Sequence, residues 1–97
     1  MFAVLVRGPS MVPTLRDGDA LLVRRGGRPV RPGDVVVARF RARPDLLVVK
    51  RVVRRAPGGW ELRGDNPLVT DDSRAYGPAE VLGRVVARYW PRPARVR

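Results

Sequence analysis

The sequence predicts a small, mainly β domain with little helix and a coiled or barrel-like sheet. Three observations support this fold class. The apolar runs are short and rich in Val and Leu, Gly, Pro and Asp interrupt them repeatedly, and no segment keeps the 3.6-residue apolar period of an amphipathic helix. A length of 97 residues fits one domain with one modest core. A sheet that coils or closes would also hide most of its strand edges.

Six segments have the composition of β-strands. In chain order, the predicted strands cover residues 2–7, 20–24, 34–40, 46–55, 60–63 and 81–90. The segments between them are rich in Gly, Pro, Asp and Asn, the residues of turns. The Pro-Gly-Gly sequence at residues 57–59 predicts a hairpin between the fourth and fifth strands.

The last third of the chain contains the only helical segment that we predict. A single helical turn fits either residues 71–76 or residues 78–82. Pro91 and Pro93 end the last strand, because proline lacks the N–H that a strand ladder needs. Residues 91–97 are therefore expected to form a loose tail, and residues 1–97 are expected to form a single domain.

The basic charge of the chain leaves two interpretations open. The formal net charge is +11, and Lys50 is the only lysine among 20 basic residues. Such a charge suits nucleic acid, an anionic membrane or an acidic protein as a partner. The arginines are scattered along the whole chain, however, which favours a background of Arg-rich composition over a dedicated binding face.

The missing residue types exclude several classes of site. The chain contains no His and no Cys, which rules out Ser-His-Asp triads, cysteine proteases, His or Cys zinc sites and disulfides. The longest uncharged run, residues 8–15, is far shorter than the roughly 20 residues that span a bilayer. We therefore expect a cytoplasmic protein without a transmembrane anchor.

Lys50 is the most informative residue of the sequence. It lies in the apolar run of residues 46–53, so its amine is flanked by apolar side chains on a strand. Burial disfavours the charged amine and lowers its pKa, whereas an arginine would keep its proton. A strand lysine that survived by chance is the alternative. A specific role is favoured if a nucleophile can be named.

Ser10 is the candidate nucleophile. It lies in a loop bounded by Gly8, Pro9 and Pro13, directly after the first predicted strand. A serine hydroxyl needs a neighbouring base, and in a chain without histidine a neutral lysine is the remaining candidate. Taken alone, such a loop serves more often as a simple turn.

Four sequence boxes resemble the type I signal peptidase family. They are Ser-Met-x-Pro-Thr-Leu-x-x-Gly-Asp at 10–19, Pro-Gly-Asp-Val-Val at 32–36, Lys-Arg-Val at 50–52, and Gly-Asp-Asn at 64–66 with Asp-Ser-Arg-x-x-Gly at 72–77. Their order matches the family, whose clan includes the self-cleaving repressors of the SOS response. The resemblance implies a serine endopeptidase with a Ser/Lys dyad on a mostly β catalytic core, with no metal and no cofactor.

The resemblance also implies roles for individual residues. Ser10 would be the nucleophile and a donor to the oxyanion through its backbone N–H, and Lys50 would be the general base. Thr70 would orient the lysine. The supporting box would consist of Asp72, Ser73 and Arg74. For these four residues, an ordinary turn or a surface ion pair remains an equal alternative.

An extended protein substrate would pair with two strands, according to the same resemblance. One strand ends near Arg7 and the other leads into Lys50, a form of β-augmentation. The residues expected to contact the substrate are Met11, Val48 and Val49. Gly8 and Pro9 depart from the family pattern, because neither supplies a hydroxyl for the oxyanion and Pro9 has no N–H.

The small size and the opening Arg-Gly-Pro-Ser-Met at residues 7–11 resemble the anchor-free proteases that mature nickel-type superoxide dismutase. This similarity implies that the partner is a nickel superoxide dismutase proenzyme, from which an N-terminal propeptide is removed. The self-cleaving repressors fit less well, because the chain has no helical DNA-binding domain.

A small basic β-barrel that binds nucleic acid or an acidic protein is the alternative from another class. The net charge of +11 supports it, as do aromatic residues that could stack on bases, namely Phe40, Trp60, Tyr76, Tyr89 and Trp90. Core packing explains these aromatics better in so small a domain. An inactive adaptor of the same fold is disfavoured by the intact Ser10 and Lys50.

Overall fold

The computed structural model describes residues 1–96 and confirms a mainly β fold. The strands are β1 (Phe2–Leu5), β2 (Ala20–Arg24), β3 (Val35–Phe40), β4 (Arg43–Ala56), β5 (Gly59–Arg63), β6 (Ala79–Trp90) and β7 (Ala94–Arg95). Helix α1 covers Ser73–Tyr76. All the pairings between these strands are antiparallel, as expected for short strands joined by tight turns.

Strand β6 closes part of the sheet into a small barrel. The strand order is β1-β2-β6-β3-β4-β5, and β5 also pairs with β6 where Trp60 lies opposite Ala79. Strands β3, β4, β5 and β6 therefore form a closed ring. The far half of β6 pairs with β2, and β-bulges on β6 let this long strand serve both halves of the sheet. This closure is the barrel-like sheet that the sequence predicts.

Strand β3 separates two hydrophobic cores. Its alternating side chains point to opposite faces, so Val35 and Val37 pack into one core and Val36, Ala38 and Phe40 into the other. The first core also contains Val6, Met11, Leu15, Leu21, Val23 and Val85. The second core also contains Val52, Leu62 and Ala79. Burial on both faces explains why this strand is a nearly continuous apolar run instead of an alternating one.

The main differences from the sequence prediction concern three segments. The helical turn forms at Ser73–Tyr76, the first of the two alternatives, whereas residues 79–82 belong to β6. Strand β4 begins at Arg43 because a two-residue connection brings Arg43 opposite Phe40 of β3. Ala94–Arg95 pair with β6 where the sequence predicts a loose tail. The turn before them is held by Arg88, whose Nε donates to the Arg92 carbonyl at 2.7 Å. Residue 97 of the predicted tail lies outside the described residues.

The structure includes no spanning helix within residues 1–96. Helix α1 has 4 residues, and nothing else in the described chain combines helical structure with the length and apolar character needed to cross a bilayer.

Candidate active site

The loop between β1 and β2 holds Ser10 in a half-buried position. Its base is closed by backbone hydrogen bonds that Val6 forms with Asp19 and Gly18, each 2.9 Å long. The backbone N–H of Gly8 donates to the Asp17 carboxylate at 2.8 Å. Gly8 has a φ of 80°, in the left-handed region that favours glycine, and this turns the chain out of β1 into the loop. The serine is therefore carried by a loop that is fixed at both ends.

Met11 anchors this loop instead of lining a substrate site. Its side chain is fully buried and packs in the first core with Leu15. The sequence resemblance implied a substrate contact for Met11, but the structure places the side chain on the interior side of the loop. Burial next to the nucleophile position means that the side chain fixes the backbone on which Ser10 sits.

Lys50 lies in the middle of β4, opposite Val36 of β3, and is only 4% exposed. Burial lowers the pKa of its amine. Asp72 and Asp71 act in the opposite direction, and Arg74 lowers the pKa further. Within the described residues, no side chain forms a hydrogen bond or ion pair with the amine. The buried position of Lys50 thus favours the neutral form of its amine more than an exposed position would.

The turn at residues 64–66 lies directly against the serine loop. The backbone N–H of Asn66 donates to the Ser10 carbonyl at 2.9 Å, and the Asn66 side-chain amide donates to the Pro9 carbonyl at 3.0 Å. Gly64 packs so closely that a Cβ added there would lie 2.4 Å from the Ser10 carbonyl oxygen. Only glycine fits without displacing the serine backbone.

Asp65 connects the serine loop to the strand that carries Lys50. Its carboxylate accepts two hydrogen bonds from the Arg51 guanidinium, both 2.8 Å long. The same carboxylate accepts a hydrogen bond from the Thr14 hydroxyl. The Arg51 hydrogen bonds lower the pKa of Asp65 and keep it ionised. Because Thr14 belongs to the serine loop and Arg51 follows Lys50, this carboxylate ties the loop that carries Ser10 to the strand that carries Lys50.

Asp72 and Arg74 form the ion pair that the resemblance implies. The Asp72 carboxylate is fully buried and accepts from Arg74 Nη2 at 2.7 Å and from Arg74 Nε at 3.0 Å. It also accepts from the backbone N–H of Gly64 at 3.1 Å, which joins it to the turn beside Ser10. Burial alone would raise the pKa of Asp72, but the Arg74 and backbone hydrogen bonds outweigh burial and lower it.

The other supporting residues lie around this pair. The Ser73 hydroxyl accepts a hydrogen bond from the backbone N–H of Leu62 at 2.8 Å and so ties α1 to β5. Thr70 is exposed, and among the described residues it has no hydrogen-bond partner. From this segment, Asp71 lines the same cleft as Lys50, and both Asp72 and Asp71 raise the pKa of its amine. The expected hydrogen bond from Thr70 to the lysine is therefore not among the contacts of the described residues.

An open, mostly apolar cleft runs between β1 and β4 beside Lys50. Its lining includes Leu5, Arg7 and residues 46–50, with Asp71 at the end near Lys50. Val48 and Val49 lie on this cleft, as expected for residues that contact a substrate. Among the described strands, β1 pairs with β2 alone, which leaves its outer edge open to the cleft. An extended peptide can add to such an edge as a further strand.

Sequence reasoning missed the residues that tie the site together. Thr14, Arg51, Gly64, Asp65 and Asn66 all lie in the boxes that carry the resemblance, but the sequence assigns none of them a contact. Their position within those boxes was the available signal. Their partners lie between 8 and 57 residues away along the chain, so spacing alone could not identify them.

Comparison with known proteins places the chain among peptidases. Residues 1–86 match the Peptidase S24-like family. A Xenopus tropicalis protein named mitochondrial inner membrane protease subunit 1 is 34% identical, over 91% of this chain and 68% of its own length. The human protein of that name is 30% identical, over 91% and 69%. The Schizosaccharomyces pombe protein of that name is 34% identical, over 92% and 73%.

These relatives correct the predicted location. The sequence predicts a cytoplasmic protein, because no run of residues is long enough to span a bilayer. The relatives are named as subunits of a protease of the mitochondrial inner membrane, so the cytoplasmic prediction is wrong.

Proposed function

The chain belongs to the Peptidase S24-like family and is a serine-type protease, and from that premise we propose a Ser/Lys dyad formed by Ser10 and Lys50. The observation that carries the proposal is the state of Lys50, a buried amine with a lowered pKa on the wall of an open cleft. Arginine occupies every other basic position, and only lysine can supply a neutral base.

The framework around the dyad supports the assignment of Ser10. The turn at residues 64–66 contacts the Ser10 backbone on one side and the Asp72 carboxylate on the other. Asp72 in turn acts electrostatically on Lys50. Asp65 adds a second connection through Thr14 and Arg51. Connections between the serine loop and the surroundings of Lys50 support this pairing, because general-base catalysis requires the nucleophile and the base to be held close together.

The proposed reaction has two steps. The neutral Lys50 amine takes the proton of the Ser10 hydroxyl as Oγ attacks the scissile carbonyl carbon, and the backbone N–H of Ser10 donates to the resulting oxyanion. The C–N bond then breaks, and the Lys50 ammonium gives its proton to the leaving amine. Water attacks the acyl-enzyme ester in the second step, with Lys50 again accepting and returning the proton.

The cleft geometry supports an extended segment of a protein precursor as the substrate. The outer edge of β1 offers backbone groups for pairing, and Leu5 and Leu47, 56% and 57% exposed, offer apolar contacts on the two sides of the cleft. Substrate residues with small or apolar side chains on the N-terminal side of the scissile bond would fit this shallow cleft. The N-terminal propeptide of nickel-type superoxide dismutase is the finer proposal for the substrate, supported by the opening Arg-Gly-Pro-Ser-Met and by the small size of the domain.

The names of the relatives support a location next to a membrane. They are described as subunits of an inner membrane protease, and we place the activity of this chain at a membrane surface as part of the same proposal.

The test is cleavage of a purified nickel superoxide dismutase precursor, followed by intact mass spectrometry. Wild type should release one discrete N-terminal fragment, and both Ser10→Ala and Lys50→Arg should release none. Arg31→Gln, an exposed position away from the cleft, is the matched control and should cleave like wild type. A cut that persists in Lys50→Arg would overturn the lysine-base mechanism. If wild type cleaves a mixed peptide library but not this precursor, the substrate proposal fails while the dyad stands.

A further inference from the structure

Asp71 is the only acidic residue on the lining of the cleft, within the described part of the chain. The other charged residues there are Lys50, whose amine burial shifts toward the neutral form, and Arg7 on the β1 side. Asp71 is exposed and accepts a hydrogen bond from the Tyr76 hydroxyl at 2.6 Å. No ion pair with a described residue neutralises it. The proposed Ser/Lys chemistry gives this carboxylate no contact with the substrate.

Tyr76 holds the Asp71 carboxylate at the cleft. Its ring packs against the second core and lies 5.2 Å from the Phe40 ring, centroid to centroid. The Arg43 guanidinium lies over the same ring, 5.8 Å from its centroid. Phenylalanine would fill the same space, so the core does not require the hydroxyl that donates to Asp71. A carboxylate held in this way loses less conformational freedom when it binds a cationic group.

Asp71 approaches the cleft from the second-core side of β4. Lys50 is opposite Val36, a residue of the second core, so these two side chains point to the same face of the sheet. Tyr76, which holds Asp71, packs on that core as well. Strand β5 pairs with β4 beyond residues 43–50, so the edge of those residues is open among the described strands. A substrate strand in the cleft would alternate its side chains between the two faces, and every second one would point toward the Asp71 side.

We propose that Asp71 selects a substrate with a lysine or arginine close to the scissile bond, and that Tyr76 positions its carboxylate for this contact. The inference rests on the proposed function and specifies its substrate class. Asp71 lines the same cleft as Lys50 and acts on it electrostatically, so the selected residue should lie within about two residues of the cut. The net charge of +11 would by itself disfavour a basic substrate, so a preference for lysine requires a local negative charge.

The experiment compares peptides that carry Lys, Gln or Glu, in turn, at each position around the scissile bond. At one of these positions, wild type should show a kcat/KM about two- to five-fold higher for Lys than for Gln, as for a partly exposed ion pair. Asp71→Asn should remove this preference, and Asp71→Lys should reverse it in favour of Glu. Glu80→Gln is the matched control, since it makes the same change of charge at an exposed position outside the cleft lining, and it should keep the wild-type preference. Tyr76→Phe should give a preference between those of wild type and Asp71→Asn, and an unchanged preference would overturn the positioning role of Tyr76.

Peptide binding to Ser10→Ala, measured by fluorescence anisotropy, scores the same preference without cleavage. The dissociation constant should be about two- to five-fold lower for the Lys peptide than for the Gln peptide, and equal for both in Ser10→Ala/Asp71→Asn. If Asp71→Asn changes kcat/KM by one factor for all three peptides and leaves their binding unchanged, Asp71 acts only through Lys50 and the inference is overturned. Equal binding and equal hydrolysis of the Lys and Gln peptides by wild type would also overturn it, while the dyad stands. A binding preference that depends on Asp71, in a protein whose hydrolysis survives Lys50→Arg, would support the inference and refute the dyad.

Discussion

Asp65→Asn is the substitution that tests the framework of the site most sharply. Asparagine keeps the size and one acceptor oxygen but loses the charge, so the paired hydrogen bonds from Arg51 and the bond from Thr14 cannot all be kept. The serine loop would then be held against β4 chiefly by the Asn66 contacts with Pro9 and Ser10. We expect a loss of stability and a loss of turnover from this single change.

The size of the stability loss follows from the contacts. Charge-assisted hydrogen bonds contribute about 1.5–3 kcal/mol each when well buried, and a neutral one contributes about 1 kcal/mol. The Arg51 and Asp65 side chains are 26% and 17% exposed, and water screens the charges, so the ion pair contributes less to stability than a fully buried one would. A loss of about 3 kcal/mol results. For a domain of this length, this corresponds to a fall in Tm of about 12–24 °C.

The assay combines thermal unfolding with peptide hydrolysis at a temperature where the variant is folded. Misplacing the nucleophile should lower kcat by about 10- to 100-fold and leave KM nearly unchanged, because the cleft walls are intact. Asp45→Asn is the control, since its pair with Arg43 is 3.5 Å long and largely exposed, and it should change neither quantity. If Asp65→Asn lowers Tm no more than Asp45→Asn does, the carboxylate does not tie the loop to β4 and the reasoning fails.

Three further variants test the same site. Asp72→Asn removes a negative charge that raises the pKa of Lys50 and leaves Arg74 unpaired, and the Arg74 charge lowers the pKa of Lys50. The rise of kcat/KM with pH should therefore move to lower pH. An unchanged pH profile would show that Asp72 does not act on the base. In wild type, folding lowers the pKa of Asp72. The contribution of its carboxylate to stability is therefore complete above the ordinary carboxyl pKa of about 3.9 and is lost as the pH falls further. On the acid side of a pH titration, Tm should fall more steeply in wild type than in Asp72→Asn. Gly64→Ala places a Cβ against the Ser10 carbonyl, so it should lower kcat and reduce stability by about 1–3 kcal/mol. Gly58→Ala is the control and should leave kcat unchanged, because its added Cβ would meet only Pro78. Met11→Ala should lower the free energy of unfolding by about 2–5 kcal/mol, measured by urea unfolding, because the Met11 side chain is fully buried. The variant should cut the same peptide bonds as wild type. A change in cleavage preference would show that Met11 contacts the substrate, as the resemblance implied.

The strands could be predicted from the sequence because their signal is local. The Val and Leu runs and the Gly and Pro turns between them give the main strands and the hairpin at residues 57–59. The start of β4 at Arg43 could not be predicted, since Arg43, Pro44 and Asp45 have no strand composition and are extended by the hairpin that opposes Phe40 and Arg43. The same holds for β7, where pairing with Ala87 and Arg88 orders two residues of weak preference.

The site could be predicted only in part. The environment of Lys50 followed from its apolar neighbours, and the structure confirms its burial. Met11 and Thr70 were assigned through the resemblance, which carries no information on the direction of a side chain; one is buried in the core and the other is exposed. The connection from Thr14 through Asp65 to Arg51 depends on residues 51 and 14 positions apart, and only the closed sheet brings them together.

The most direct test of the central claim is the rate at which a small fluorophosphonate phosphonylates Ser10, with loss of fluoride, as a function of pH, read by mass spectrometry. Neutral Lys50 as the base predicts a single adduct on the peptide containing Ser10, at a rate that rises with pH and levels off below the ordinary lysine pKa of about 10.4, because burial lowers the pKa of the amine. Lys50→Arg should not be labelled, and Arg31→Gln should be labelled like wild type. Labelling of Lys50→Arg at the wild-type rate, or an adduct on Ser73 instead of Ser10, would contradict the dyad.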